Sequence, residues 1–228
     1  MIRYKKENIE WLEFELLQSF PEIIHGVVLR CLDFDEKESY QKVGSFFGIG
    51  RIVSSHQMHQ DRIVCVPQEM VGKCDGLMTK ETDCGLVIQH ADCQAAIFFD
   101  PTRKVIANIH CGWRGSVQNI YDKTVERMKG MGCLAKDLIV CISPSLGPKK
   151  AEFVNHAVEL PKTFLPFQVR SNYFDFWEIS KMQLKEAGVL EKNIEIAGMC
   201  TYSEEKHFFS YRRDKKRQRH GTLVALKD

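Results

Sequence analysis

Apolar positions change period several times along this chain. Tyr40, Val43 and Phe47 recur at i, i+3 and i+7, which predicts an amphipathic helix over 36–47, stopped by Gly48 and Gly50. Val117, Ile120, Tyr121, Thr124, Val125 and Met128 form the clearest helical stripe, ended by Gly130 and Gly132. Ser116 stands in front of it as a predicted N-cap. A third helix is predicted over 173–188, with Phe176, Ile179 and Leu184 on its buried face and Gly188 as its stop. Shorter helices are expected over 152–160 and, with a poorly defined apolar face, over 8–17. Other stretches lack the helical period. Runs at 26–32, 51–54, 63–66, 86–88, 95–99, 105–109, 138–142, 193–197, 207–211 and 222–226 are β-branched, aromatic or continuously apolar, and predict strands.

Strands and helices are mixed without regular βαβ alternation. That order predicts an α+β fold, a layered α/β/α arrangement around a mixed, largely antiparallel sheet core. No Pro/Gly/Ser-rich linker interrupts the chain, so residues 1–228 are expected to form a single domain.

Composition narrows the classes of function. A net charge of +2 gives no general argument for nucleic acid. The basic run Arg212–His220 reads as a loop between two strands that could cover an anionic substrate. Nine cysteines, irregularly spaced and with no CxxC pair, argue against both a disulfide framework and a zinc ribbon. No secretory leader and no long apolar run is visible, and a cytoplasmic location is expected.

Candidate chemistry concentrates in residues 89–116. If 95–99 and 105–109 pair as an antiparallel hairpin across the turn at Asp100–Lys104, Cys93 and His110 share its open end. His59, at the end of an earlier strand, is the third member of the set. Two imidazoles and a thiolate make a zinc set with one position open, and zinc lowers the pKa of water to about 7. The same Cys93 and His110 suit a metal-free thiolate–imidazole hydrolase equally well. Gly112, Arg114, Gly115 and Ser116 form a glycine turn before a helix, a place where an anion can be held. His90 and Cys111 have no part in this reading.

Several motifs together resemble the YfiH/LACC1-like family, also called the laccase-domain or multicopper polyphenol oxidoreductase family. They are Gln57-Met58-His59, Asp75-Gly76, Ala91-Asp92-Cys93, His110-Cys111-Gly112-Trp113-Arg114-Gly115, Gly147-Pro148, Phe174-Asp175-Phe176-Trp177, Cys200-Thr201 and Phe208-Phe209-Ser210-Tyr211-Arg212-Arg213-Asp214. They occur in the family's order over roughly 26–226. The resemblance implies a compact fold with a sheet core and metal ligands at His59, Cys93 and His110, which would also be the catalytic residues. It implies a zinc-dependent purine nucleoside phosphorylase acting on adenosine, inosine, guanosine and methylthioadenosine, with adenosine deaminase activity. Nucleoside and phosphate would be the partners, with Arg114, Ser116 and Arg213 on the substrate or anion. Copper-dependent phenol oxidation and cysteine hydrolysis are the alternatives attached to the same residues. The chain departs from the family pattern at Cys111, where a small residue is usual, at Gln60, where glycine is usual, and after Arg30, where the usual Gly-Gly is replaced by Cys31-Leu32.

Overall fold

The computed structural model describes residues 1–227. In chain order the strands are β1 (Ile2–Lys6), β2 (Ile9–Glu13), β3 (Ile23–Val28), β4 (Arg51–Ser54), β5 (Ile63–Cys65), β6 (Gly76–Thr79), β7 (Cys84–His90), β8 (Gln94–Asp100), β9 (Val105–Cys111), β10 (Ile139–Ile142), β11 (Gln168–Arg170), β12 (Tyr173–Phe174), β13 (Ile194–Ile196) and β14 (His220–Leu226). The α-helices are α1 (Lys37–Phe47), α2 (Trp113–Val117), α3 (Ile120–Gly130), α4 (His156–Glu159), α5 (Phe176–Glu186) and α6 (Tyr211–Asp214).

Two six-stranded sheets form the core, in the orders β1-β2-β3-β14-β7-β4 and β13-β10-β8-β9-β6-β5. Pairing within them is antiparallel except where the edge strands β4, β5 and β13 join. The α+β class and the mixed, mainly antiparallel pairing are as the sequence predicts. The sheet layer is double, so the layers run helix, sheet, sheet, helix. Leu86, Val27 and Val224 of the first sheet meet Leu77, Ile97, Phe99 and Ile106 of the second, all buried. Each such side chain contributes about 1.5–3 kcal/mol on burial. The outer face of the second sheet is covered by α3 and α5, through Ile120, Tyr121, Val125, Met128 and Leu184. Val43 of α1 packs with Val87, Leu223 and Ala225 on the outer face of the first.

Three local expectations are corrected. Residues 8–17 are not a helix: Ile9–Glu13 is a strand, held between β1 and β3. Residues 207–211 are not a strand. Phe208 and Phe209 are buried, but Ser210 starts α6, its hydroxyl accepting from Arg213 N (3.2 Å). Ser116 is not an N-cap. The helix begins after Gly112 and breaks at Asn119, which is left-handed (φ 52°) and caps α3. The stripe from Val117 to Met128 therefore spans two helices.

Candidate metal centre

The β8–β9 hairpin places two of the three candidate ligands. Asp100 makes the turn between the strands, its carboxylate accepting from Thr102 N and Arg103 N (2.9 Å each). The register then sets Ala95 opposite His110 and Gln94 opposite Cys111. Cys93, one residue before β8, and His110, near the end of β9, lie at the open end, as expected from their spacing. The approach is close: a Cβ on Gly112 would lie 3.1 Å from Cys93 Sγ and 3.2 Å from His59 Cδ2.

His59 comes from the loop between β4 and β5 and joins the pair through Asp75. This fully buried carboxylate lies just before β6, which pairs with β9. Its Oδ1 accepts from His59 N and from His110 Nδ1, both at 2.8 Å. Its Oδ2 accepts from Met58 N (3.1 Å) and Gln60 N (2.9 Å). Three successive amides thus converge on one carboxylate, which needs the left-handed backbone found at His59 (φ 58°). In the sequence Asp75-Gly76 stands as one of the family motifs, with no role of its own at the site. The carboxylate's role follows from the β6–β9 pairing, which no local pattern reveals.

The ligating atoms of His59, Cys93 and His110 all lie within 4.8 Å of one another. His59 is exposed, Cys93 half-buried and His110 buried. The two imidazoles meet edge to face at 4.8 Å. Because His110 Nδ1 donates to Asp75, its Nε2 is the nitrogen left to ligate. Burial opposes ionisation of the Cys93 thiol, but the charge and hydrogen bond of His110, with help from His59, outweigh it and bring the thiol to about 6. Burial likewise opposes charge on His110, and Cys93 together with Asp75 reverses this, raising the imidazole to about 9. The two shifts run in the directions that favour a thiolate–imidazolium pair. Two imidazole nitrogens and a readily formed thiolate fit a metal ion such as zinc.

The anion-binding candidates separate. Arg114 is exposed and lies with Met58, His59, Gln60, Asp61 and Gln118 around a cleft of about 530 Å³. Its guanidinium stacks on Trp113 (4.2 Å) and meets no carboxylate among the described residues. Ser116 is buried, and its hydroxyl donates to Gln183 Oε1 (3.3 Å). Arg213 has its five N–H groups on the Asp214 carboxylate and on the carbonyls of Thr201, Tyr202 and Phe208. The basic run therefore begins as a braced corner: Arg212 also gives its backbone N–H to Asp92 Oδ2 (2.7 Å). Asp92 itself is left-handed (φ 79°) and accepts from Thr201 Oγ1 (2.7 Å), which ties the turn before Cys93 to two other loops.

Three kinds of likeness connect the chain to known proteins. The purine nucleoside phosphorylase of Bacteroides thetaiotaomicron is 34% identical over 156 residues, 64% of this chain and 58% of that protein. The chain therefore spans less than two thirds of that relative's length. The purine nucleoside phosphorylase Cj1217c of Campylobacter jejuni is 30% identical over 186 residues, 80% of each chain. The crystal structure of YlmD from Geobacillus stearothermophilus superposes with a TM-score of 0.87 at 23% identity, covering 99% of both chains, and shows a common fold. The family model described as multi-copper polyphenol oxidoreductase laccase matches residues 36–227, and the chain belongs to that family.

Proposed function

We propose that this chain, acting as one domain over 1–228, is a zinc-dependent purine nucleoside phosphorylase with adenosine deaminase and methylthioadenosine phosphorylase activity. The observation that carries the reading is the convergence of His59, Cys93 and His110 beside the cleft that Arg114 also lines. The names of the relatives supply the substrate class. A volume of about 530 Å³ lies within the usual range of small-molecule sites, roughly 300–1,000 Å³.

In phosphorolysis a phosphate oxygen bonds to the sugar C1′ as the bond to the purine breaks, giving free base and the sugar 1-phosphate. Arg114 holds the phosphate through its guanidinium, kept in place by stacking on Trp113. Asp75 fixes the His59 loop and the His110 ring, so both ligands keep their directions during turnover. A bound zinc supplies Lewis acidity, and activates water for deamination. Ser116 and Arg213 support the site from behind, Ser116 by fixing α2 against α5 and Arg213 by bracing the corner that holds Asp92. Zinc-loaded protein should release base from adenosine only when phosphate is present, and ammonia in a manner a chelator stops. Seeing neither product would remove the proposal.

One observation favours a second reading. Cys93, His110 and Asp75 have the arrangement of a thiolate, imidazole and carboxylate triad, with the carboxylate on Nδ1. A metal-free cysteine hydrolase would be inactivated by iodoacetamide at Cys93 and indifferent to chelators. A copper-dependent phenol oxidase ranks behind both, because multicopper centres use many more histidines than this cluster provides.

A further inference from the structure

His90 lies outside the three-ligand set, yet it is bonded to it. The ring is buried at the end of β7, where β14 places His220 opposite it. Nδ1 lies 3.1 Å from the Cys93 carbonyl oxygen and Nε2 lies 2.7 Å from Thr222 Oγ1. A carbonyl oxygen only accepts, so Nδ1 carries the hydrogen. The ring is buried and its two hydrogen-bond partners are a carbonyl and a hydroxyl, with no carboxylate bonded to it, a setting that suits the neutral form. Nε2 is then a lone pair and accepts from the Thr222 hydroxyl. The result is a directed chain: Thr222 O–H to Nε2, and Nδ1–H to the Cys93 carbonyl. The Cys93 carbonyl thereby selects the tautomer, and the Thr222 hydroxyl, which adapts to it, fixes the ring's orientation from a strand far away in sequence.

The bond falls where the backbone needs support. Asp92, immediately before Cys93, holds a left-handed conformation that residues other than glycine adopt only at a cost. Bonds from Thr201, Arg212 and Leu146 secure Asp92. The bond from His90 secures the next peptide, the one carrying Cys93. A leucine would fill the same space without burying two ring nitrogens, so packing alone does not account for a histidine here. The His220 ring meets His90 at 71° with centroids 4.2 Å apart and limits its rotation.

We propose that His90 is a positioning residue for Cys93: its Nδ1–H bond to the Cys93 carbonyl, oriented by Thr222, sets the direction in which the thiol meets His59 and His110. This rests on the reading of Cys93 as a metal ligand. The test uses zinc alone as the probe, with chelator competition to measure affinity, and nitrogen NMR of the histidine rings. Wild type should show His90 as the neutral Nδ1–H tautomer. His90→Phe should bind zinc about 10–100-fold more weakly, the range for groups that orient metal ligands. His90→Asn places an amide N–H near the position of Nδ1 and should recover most of that loss. Thr222→Val removes the second anchor of the ring and should weaken zinc binding, by less than His90→Phe does. An Nε2–H tautomer in wild type, or a folded His90→Phe with unchanged zinc affinity, overturns the proposal. Should His90→Phe fail to fold, the wild-type tautomer and Thr222→Val decide it. Cys93→Ala separates the two levels of failure. If it keeps zinc, the ligand reading fails; if it loses zinc while His90→Phe does not, only the role of His90 fails.

Discussion

At Asp75 one carboxylate serves two candidate ligands, because Oδ1 accepts from the backbone of His59 and from the ring of His110 together. Asp75→Asn would turn one acceptor into a donor facing amide N–H groups. Its zinc affinity should fall by about 10–100-fold, measured by chelator competition. An unchanged affinity would show that the His59 loop is held by something else. The Cys93–His110 pair makes a second prediction at this scale. In metal-free protein, alkylation of Cys93 by iodoacetamide should reach half its maximal rate near pH 6, and His110→Ala should move that midpoint up toward the ordinary thiol value of 9.0. The stability effects of the two groups oppose each other. A thiol lowered to about 6 contributes stability that is complete above 9.0 and is lost as pH falls to 6. An imidazole raised to about 9 contributes stability that is complete below 6.5 and is lost as pH rises to 9. Between pH 6.5 and 9 the slopes cancel, since folding only moves a proton from sulfur to nitrogen. Unfolding free energy of metal-free protein should be nearly flat there. A slope of about 1.4 kcal/mol per pH unit, one proton's worth, would mean that only one group is shifted.

Among elements, the β8–β9 hairpin was fully readable: two apolar runs around a polar turn place Cys93 and His110 at one end. The helix after it was readable by period but not by its break, because the Val117–Met128 stripe continues across Asn119 while the backbone does not. The β1–β2 hairpin was not readable. Its strands are short, β1 is almost wholly exposed and β2 is half-buried with only Leu12 buried, so neither shows a clear two-residue alternation. Phe208 and Phe209 look strand-like, but they fill space under a corner that Arg213 and Asp92 tie down. Gly112 tests how tightly the elements meet. In Gly112→Ala the new methyl would press on Cys93 Sγ and His59 Cδ2, while the backbone φ of −79° suits alanine. The variant should therefore fold with little change in thermal midpoint and lose most of its zinc affinity. Retention of wild-type affinity would mean that the ligands can shift apart at no cost.

For the whole molecule, stability depends on the inter-sheet layer, while the site lies at the open end of the β8–β9 hairpin. Phe99 is buried there, edge-on to Phe20 at 5.4 Å, at the end of β8 remote from Cys93. Phe99→Ala should cost about 3–5 kcal/mol in denaturant unfolding, without weakening zinc in the fraction that remains folded. A parallel loss of affinity would show that the two sheets position the ligands as one rigid unit. No helix among the described residues is long and apolar enough to cross a membrane.

Sequence by itself determined the α+β class, the central hairpin and the residue types that can bind a metal. Each of these is carried by local periodicity or by side-chain chemistry. Three things were decided only by tertiary structure. The sheet is double, and each of its layers is assembled from strands distant in sequence, as where β14 inserts between β3 and β7. Arg114 faces the cleft while Arg213 is consumed in a brace, because charge is visible in a sequence and its partners are not. Asp75 and His90 reach the candidate ligands because strand register carries a carboxylate to His110 and a threonine to His90 across 35 and 132 positions, and hydrogen-bond geometry exists only once that register is made.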